Sequence, residues 1–122
     1  IRDSHGTTYG GNPLVTAAAS AVLSIFEERG IVEHVNLVGG YLWEKLEELA
    51  AQFDCITGHR GRGLMQGLEF QMPVGPIVQK ALLEEKLVLI SAGSNIIRFV
   101  PPLIIEREHV DEMVRRLTAV LE

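Results

Sequence analysis

The sequence predicts an α+β (α/β) fold, in which a small sheet is covered by packed helices. Long segments with apolar residues at three- and four-residue spacing indicate helices, and short apolar segments bounded by glycine or proline indicate strands. Their order is α, α, β, β, α, β, β, α, which suits one sheet with helices packed on it. The 122 residues, 47% of them hydrophobic, suffice for one modest core.

The first two predicted elements are helices, over residues 13–29 and 31–53. Asn12 suits the N-cap position and Pro13 the first helical position. The first helix is apolar on nearly every face, so it is expected to be buried or to lie against a partner. The second is amphipathic with a charged face toward solvent, and Gly39-Gly40 predicts a kink or a close helix contact at its middle.

The rest of the chain alternates between strands and helices. Leu64, Leu68 and Phe70 are expected to share one face of a strand with Gln66. The predicted elements are strands at 56–60 and 63–70, a helix at 77–86, strands at 87–90 and 96–100, and a final helix with its apolar stripe at 110–121.

Charge and composition exclude several functions. A net charge of −5 without a long basic cluster argues against nucleic acid or an anionic membrane as partner. No apolar segment approaches the ~20 residues that span a bilayer. The single cysteine, Cys55, excludes an internal disulfide and fits a reducing, cytoplasmic compartment. The start at Ile1 instead of methionine suggests a fragment or a processed chain.

Neither the histidines nor the central glycines predict a binding site. The four histidines lack the close spacing of a helical metal site, so no metal is expected. They are His5, His34, His59 and His109. The segment from Gly61 to Gly67 has the spacing GxGxxxG and leads into a strand, which removes the helix N-terminus that a dinucleotide site requires. Cys55 has no activating base nearby and is expected to be structural.

Two places carry candidate chemistry. In residues 5–13, His-Gly-Thr-Thr-Tyr-Gly-Gly-Asn-Pro, two threonines and three glycines precede a helix, a pattern of anion-binding loops and equally of plain capped loops. Arg98 interrupts an apolar strand, where it suits either bidentate carboxylate binding or an edge-strand ion pair with a structural acid.

Three stretches together resemble the class III aminotransferases, the pyridoxal-phosphate enzymes of the ornithine and acetylornithine type. They are the loop at 5–13, the segment Arg-Gly-x-Gly-Leu-Met-x-Gly-x-Glu at 60–69, and the segment from Ala92 to Leu103. The resemblance covers nearly the whole chain but only the last third of such an enzyme. It implies that residues 1–30 form a loop and an interdomain helix, and that residues 31–122 form the C-terminal small domain.

The resemblance also implies roles for individual residues. Thr8 matches the threonine that binds the cofactor phosphate of the neighbouring subunit, and Thr7 lies near the substrate. Arg98 matches an arginine that binds a substrate carboxylate or a glutamate of the large domain. The lysine that forms the Schiff base lies upstream in the family, and Lys45, Lys80 and Lys86 match no such motif.

The family therefore implies a parent enzyme that transfers the terminal amino group of N-acetylornithine to 2-oxoglutarate. This parent would be a cytoplasmic homodimer of arginine biosynthesis that includes an N-terminal large domain. The chain alone, without the lysine, is expected to be inactive and not to retain pyridoxal phosphate. Ornithine, succinylornithine and 4-aminobutyrate aminotransferases remain alternatives, and so does a non-catalytic dimerisation or interaction module.

Overall fold

A computed structural model describes residues 6–122 of the chain. His5, which begins the glycine-rich motif, lies outside the described residues. The described part divides into two compact units, one ending at Val32 and one running from Glu33 to Glu122. The helices are α1 (Pro13–Glu28), α2 (Ile31–Gln52), α3 (Gly75–Leu83) and α4 (Arg107–Leu121), and the strands are β1 (Ile56–Arg62), β2 (Met65–Phe70), β3 (Ile90–Ser91) and β4 (Ile96–Phe99).

Helix α1 begins as the sequence predicts but is not buried. Asn12 is its N-cap, and proline occupies its first turn. None of its residues is buried, and Leu14 and Leu23 are 79% and 66% exposed. Of the two expectations for this apolar helix, burial is not met within the described residues, and packing against a partner stays a prediction.

The second unit contains an antiparallel sheet with the order β1-β2-β4-β3. Alternate residues of its strands point to opposite faces. The inward residues, such as Leu68 and Ile97, are fully buried with apolar residues of α2 and α4 in one core. Gln66, Leu68 and Phe70 lie at alternate positions of β2 and are buried as expected, whereas Leu64, although buried, lies in the turn before β2 and not on the strand. The α+β class is confirmed as well.

Helix α2 approaches the turn between β1 and β2 closely. A Cβ atom added to Gly39 would lie 2.6 Å from the carbonyl carbon of Gly63, so only glycine fits at this point of the helix. The buried side-chain amide of Gln66 donates to the carbonyl oxygens of Gly39 (2.9 Å) and Gly63 (2.7 Å). The close helix contact expected at Gly39 is therefore present.

Two predicted elements differ from the observed ones. Of the strand expected at 87–90 only Ile90 is paired: Ile90 and Ser91 pair with β4, and residues 86–89 form no regular element. The third helix spans Gly75–Leu83 instead of 77–86. It ends early because Lys86 adopts a left-handed conformation with φ 54°, and the Leu87 amide turns back to the carbonyl oxygen of Ala81.

Helix α4 is tied to the end of α3 by a cluster of charges. Arg116 donates from Nη1 to the carbonyl oxygen of Glu85 at 2.7 Å and from Nε to Glu112 at 2.8 Å. Arg115 also donates to Glu112, at 2.9 Å from both Nε and Nη2. Chiefly through Arg115, and then through Arg116, the pKa of Glu112 falls from 4.5 to about 2.

The core of the second unit gives a matched test within one helix. Leu46 is fully buried and Leu37 is 68% exposed, both on α2. Replacing Leu46 by alanine is expected to lower the free energy of unfolding by about 2–5 kcal/mol, because a buried cavity remains. The same change at Leu37 alters the helix propensity equally and is expected to cost within about 0.5 kcal/mol. Urea denaturation measures both, and equal losses would contradict the assigned core.

The depressed pKa of Glu112 predicts a pH-dependent stability. A carboxyl whose pKa is lower in the folded than in the unfolded chain stabilises the fold above its ordinary pKa of 4.5, and this contribution is lost as the pH falls toward about 2. Glu112→Gln is therefore expected to lower the unfolding midpoint at pH 7 and to make little difference near pH 2. Glu44→Gln, at an exposed position of α2, is the control. A Glu112→Gln difference that stays constant over this pH range would reject the assignment.

Candidate functional site

The threonines of the glycine-rich loop are exposed on the first unit. Thr7 and Thr8 both lie at the surface immediately before α1. The Thr7 methyl group lies where a Cβ atom at Gly10 would be, so a larger residue at Gly10 would require the Thr7 side chain to move. Within residues 6–122, no hydrogen bond occupies either threonine hydroxyl. Two hydroxyl donors are thus available beside a helix start.

The backbone donors of the helix itself are already used. The Asn12 side-chain oxygen accepts from the amides of Leu14 (3.0 Å) and Val15 (3.1 Å), and the Asn12 carbonyl oxygen accepts from the Thr16 amide. Pro13 has no amide hydrogen to offer. The amides of the first turn of α1 are thus engaged by the cap, as expected of Asn12.

Arg98 lies on β4, an interior strand of the sheet of the second unit, so the alternative of an edge-strand arginine is wrong. Its neighbours Ile97 and Phe99 point into the core, and the side chain of Arg98 is on the opposite, exposed face. No salt bridge to Arg98 is found within residues 6–122.

Arg98 also borders a pocket of about 340 Å³ in the second unit. Its other walls are mostly apolar, with Val88 and Ile90 on one side and Pro101 on another. His109 is the second polar residue of the lining. Its Nδ1 accepts from the Glu106 amide at 3.0 Å, so in the neutral ring the proton is on Nε2. The lining is therefore mainly apolar, with Arg98 and His109 as its two polar residues.

The three lysines of the chain are engaged in helix contacts. Lys45 pairs with Glu48 at 2.7 Å, and Lys80 donates to the carbonyl oxygen of Val120 at 2.7 Å. Lys86 donates to the carbonyl oxygen of Leu83 at the end of α3. These contacts agree with the expectation that none of the three lysines is the cofactor lysine. That expectation stays a prediction.

A buried polar network surrounds His59, where the sequence pattern indicates none. The ring stacks on Trp43 with centroids 3.9 Å apart, and only 3% of the side chain is exposed. Because both amide hydrogens of Gln66 go to carbonyl oxygens, its side-chain oxygen faces Nε2 of His59 (3.0 Å), which must donate. Nδ1 contacts Glu47 at 2.5 Å, and one proton lies between these two groups. The charged face of α2 therefore includes one carboxylate that anchors β1.

Metal-binding clusters and membrane-spanning helices are both absent from the described residues. No group of three or more histidine, cysteine, aspartate or glutamate side chains within residues 6–122 is arranged to bind a metal ion. Over the same range no helix is both long and apolar enough to cross a membrane.

Known proteins match the chain over nearly its full length. The sequence model of the family Aminotransferase class-III matches residues 2–121. Acetylornithine aminotransferase 1 of Bradyrhizobium diazoefficiens is 41% identical over 115 residues, which are 93% of this chain and 28% of the relative. Acetylornithine aminotransferase of Clostridium acetobutylicum is 44% identical over 113 residues, 92% of this chain and 29% of the relative.

Comparison with solved structures gives the same result as the sequence comparison. The lysine aminotransferase from M. tuberculosis superposes with a TM-score of 0.86 at 27% identity, over 99% of this chain and 28% of that one. The chain thus spans less than a third of the relatives it matches. Class III aminotransferases use pyridoxal phosphate. On its match over residues 2–121, the chain belongs to the class III aminotransferase family.

Proposed function

We propose that this chain is the C-terminal part of a pyridoxal-phosphate aminotransferase that moves the terminal amino group of N-acetylornithine to 2-oxoglutarate. The observation that carries the proposal is the family match over residues 2–121, with relatives at 41% and 44% identity named acetylornithine aminotransferases. Because the chain is also similar in fold to a lysine aminotransferase, other ω-amino acids remain alternative amino donors. Residues 1–30 would supply the loop and interdomain helix, and residues 31–122 the small domain.

The residues of this chain would bind and orient. Pyridoxal phosphate, when bound, supplies the electron sink for transamination. The Thr8 hydroxyl would donate to its phosphate group, in the neighbouring subunit of a cytoplasmic homodimer, and Thr7 would lie beside the substrate. Arg98 would bind a substrate carboxylate through two parallel N–H bonds, which fixes orientation as well as affinity.

A non-catalytic interaction module is the second candidate, and the exposed apolar face of α1 favours it. Leu14 and Leu23 are largely exposed, and contiguous apolar surface of this kind marks contact sites. The two functions differ in their cofactor dependence. An interaction module needs neither the Thr8 hydroxyl nor a cofactor lysine, whereas the enzyme needs both.

The role of Thr8 is tested in a full-length enzyme that contains this chain. Thr8→Val removes the hydroxyl at nearly constant shape and is expected to weaken cofactor binding about tenfold or more, since one hydrogen bond to a charged group is lost. Thr8→Ser retains the hydroxyl and is expected to bind the cofactor like the parent. Because Thr8 is exposed, the unfolding midpoint of the cofactor-free protein should not change. Equal cofactor dissociation constants for valine and serine variants would reject the role.

The inactivity of the chain alone is tested with the purified 122-residue polypeptide. Its three lysines donate to helix groups, so an equimolar amount of pyridoxal phosphate is expected to leave no stoichiometric adduct after borohydride reduction. Intact mass spectrometry measures the adduct. A single modified lysine in full yield would refute the assignment of the cofactor lysine to another part of the enzyme.

A further inference from the structure

The segment that leads into β3 alternates like a strand without pairing as one. Residues 87–89 belong to no regular element, yet Val88 is 76% exposed and Leu89 is only 9% exposed. On β4 the buried Phe99 is likewise followed by Val100, which is 42% exposed. Continuing the register of β3 and β4 places Leu89 opposite Phe99 and Val88 opposite Val100. Both pairs therefore share a face, and pairing them would turn no side chain over.

The backbone groups of Val88 and Val100 have no partner in each other's segment. The Ala92 amide donates to the carbonyl oxygen of Ile96 at 2.9 Å, so these two residues form a hydrogen-bonded pair of the ladder. In an antiparallel ladder every second pair is hydrogen-bonded, and counting in twos from Ala92 and Ile96 leads to Val88 and Val100. Within residues 6–122, however, no backbone hydrogen bond is made by either valine amide.

The pocket of about 340 Å³ keeps the two segments apart. Its lining includes Val88 and Leu89 from one segment and Phe99 and Val100 from the other. The wall contributed by α4 includes the apolar Met113. The two unpaired amides therefore border an opening, and unpaired amides facing apolar surroundings are unfavourable unless they find a partner.

Both ends of residues 87–89 are fixed. At one end the Leu87 amide donates to the carbonyl oxygen of Ala81 at 2.9 Å, directly after Lys86 with its left-handed φ of 54°. At the other end Ile90 pairs with β4. Only the middle of the segment is left to move, so a displacement there is enough to bring it against β4.

We propose that residues 87–89 are a strap that closes the pocket when Val88 and Val100 exchange two backbone hydrogen bonds. Closure forms these two bonds and covers Val88, while the entropy lost on ordering the strap opposes it. An apolar group in the pocket holds the strap open, because it occupies the gap that closure removes. In the enzyme of the proposed function, on which this last step rests, the strap competes with the part of the amino donor that enters the pocket.

The motion is tested by nitrogen-15 relaxation dispersion on the purified chain. Opening and closing are expected to produce dispersion at the amides of Ile90 and Arg98, which flank the strap. Val88→Pro removes the N–H group that closure requires and costs the open form no backbone hydrogen bond, so it is expected to abolish the dispersion. Val88→Ala keeps the amide and is the matched control. Equal dispersion in the two variants, or none in the parent chain, would overturn the proposal.

A reversible disulfide tests whether closure shuts the pocket. Val88→Cys and Val100→Cys, combined with Cys55→Ala, place two cysteines about 5.5 Å apart between Cα atoms in the closed strap, which suits a disulfide. Benzene, a neutral apolar probe, is expected to shift the methyl resonance of Met113 in the reduced variant. Oxidation is expected to weaken benzene binding about tenfold or more, and reduction to restore it.

The reduced and oxidised forms differ only in the disulfide, so each is the control for the other. Benzene binding that survives oxidation would overturn the proposal, and so would cysteines that form no disulfide. A reduced variant that does not bind benzene would reject the pocket itself.

The full-length enzyme separates the strap from the proposed function. Oxidation of the same cysteine variant is expected to raise KM for N-acetylornithine about tenfold or more, and dithiothreitol to reverse the change, while the parent enzyme responds to neither reagent. Transamination with an unchanged KM would refute the competition with the donor and leave the proposed function standing. Disulfide-dependent loss of benzene binding without transamination would support the strap and refute the proposed function.

Discussion

The buried amide of Gln66 is the contact on which the geometry of the second unit depends. It lies on β2 and donates to carbonyl oxygens of α2 and of the turn between β1 and β2. A buried carbonyl that loses its donor costs about 1–3 kcal/mol, so a shift of β2 against either neighbour is strongly opposed. Because the same side chain accepts from His59, it also fixes β1. One residue thus sets the register of the strand pair with respect to the helix.

This register determines which residues can reach a ligand. With Gln66 and Leu68 inward, Gly67 must point outward, and its cross-strand partners Arg60 and Arg98 point outward with it. Arg98 is therefore exposed although β4 is an interior strand with apolar neighbours. The helices cover the inward face and supply the core, while the outward face is left with most of the charged side chains of the strands.

Local features of the fold could be predicted from the sequence, and long-range ones could not. The start of α1 follows from Asn12 and Pro13, whose chemistry acts within one helical turn. The prediction of a strand at 87–90 was wrong because strand pairing depends on a partner that is distant in the sequence. The pairing with β4 begins only at Ile90, after the left-handed conformation at Lys86. The burial of His59 depends on residues 7 and 12 positions away, a spacing that no helix or strand period indicates.

The residues of the candidate site show the same division between local features, which the sequence predicts, and long-range ones, which it does not. Thr8 and Arg98 are proposed as site residues because the motifs around them resemble a family, whereas the exposed face on which Arg98 lies follows from the long-range pairing of β4 with β2. The Asn12 cap was predicted, but its consequence for the anion site was not. The side chain that starts the helix also takes up the amides that a phosphate would use.

The strict alternation of the strands limits how this sheet can change its length during evolution. A single inserted or deleted residue within β4 would exchange Arg98 with Ile97 or Phe99, placing a guanidinium in the core and an apolar side chain at the surface. The same event in β2 would move Gly67 inward and leave a hole where Leu68 packs. Changes of length are therefore expected to accumulate outside the strands, which vary by substitution alone.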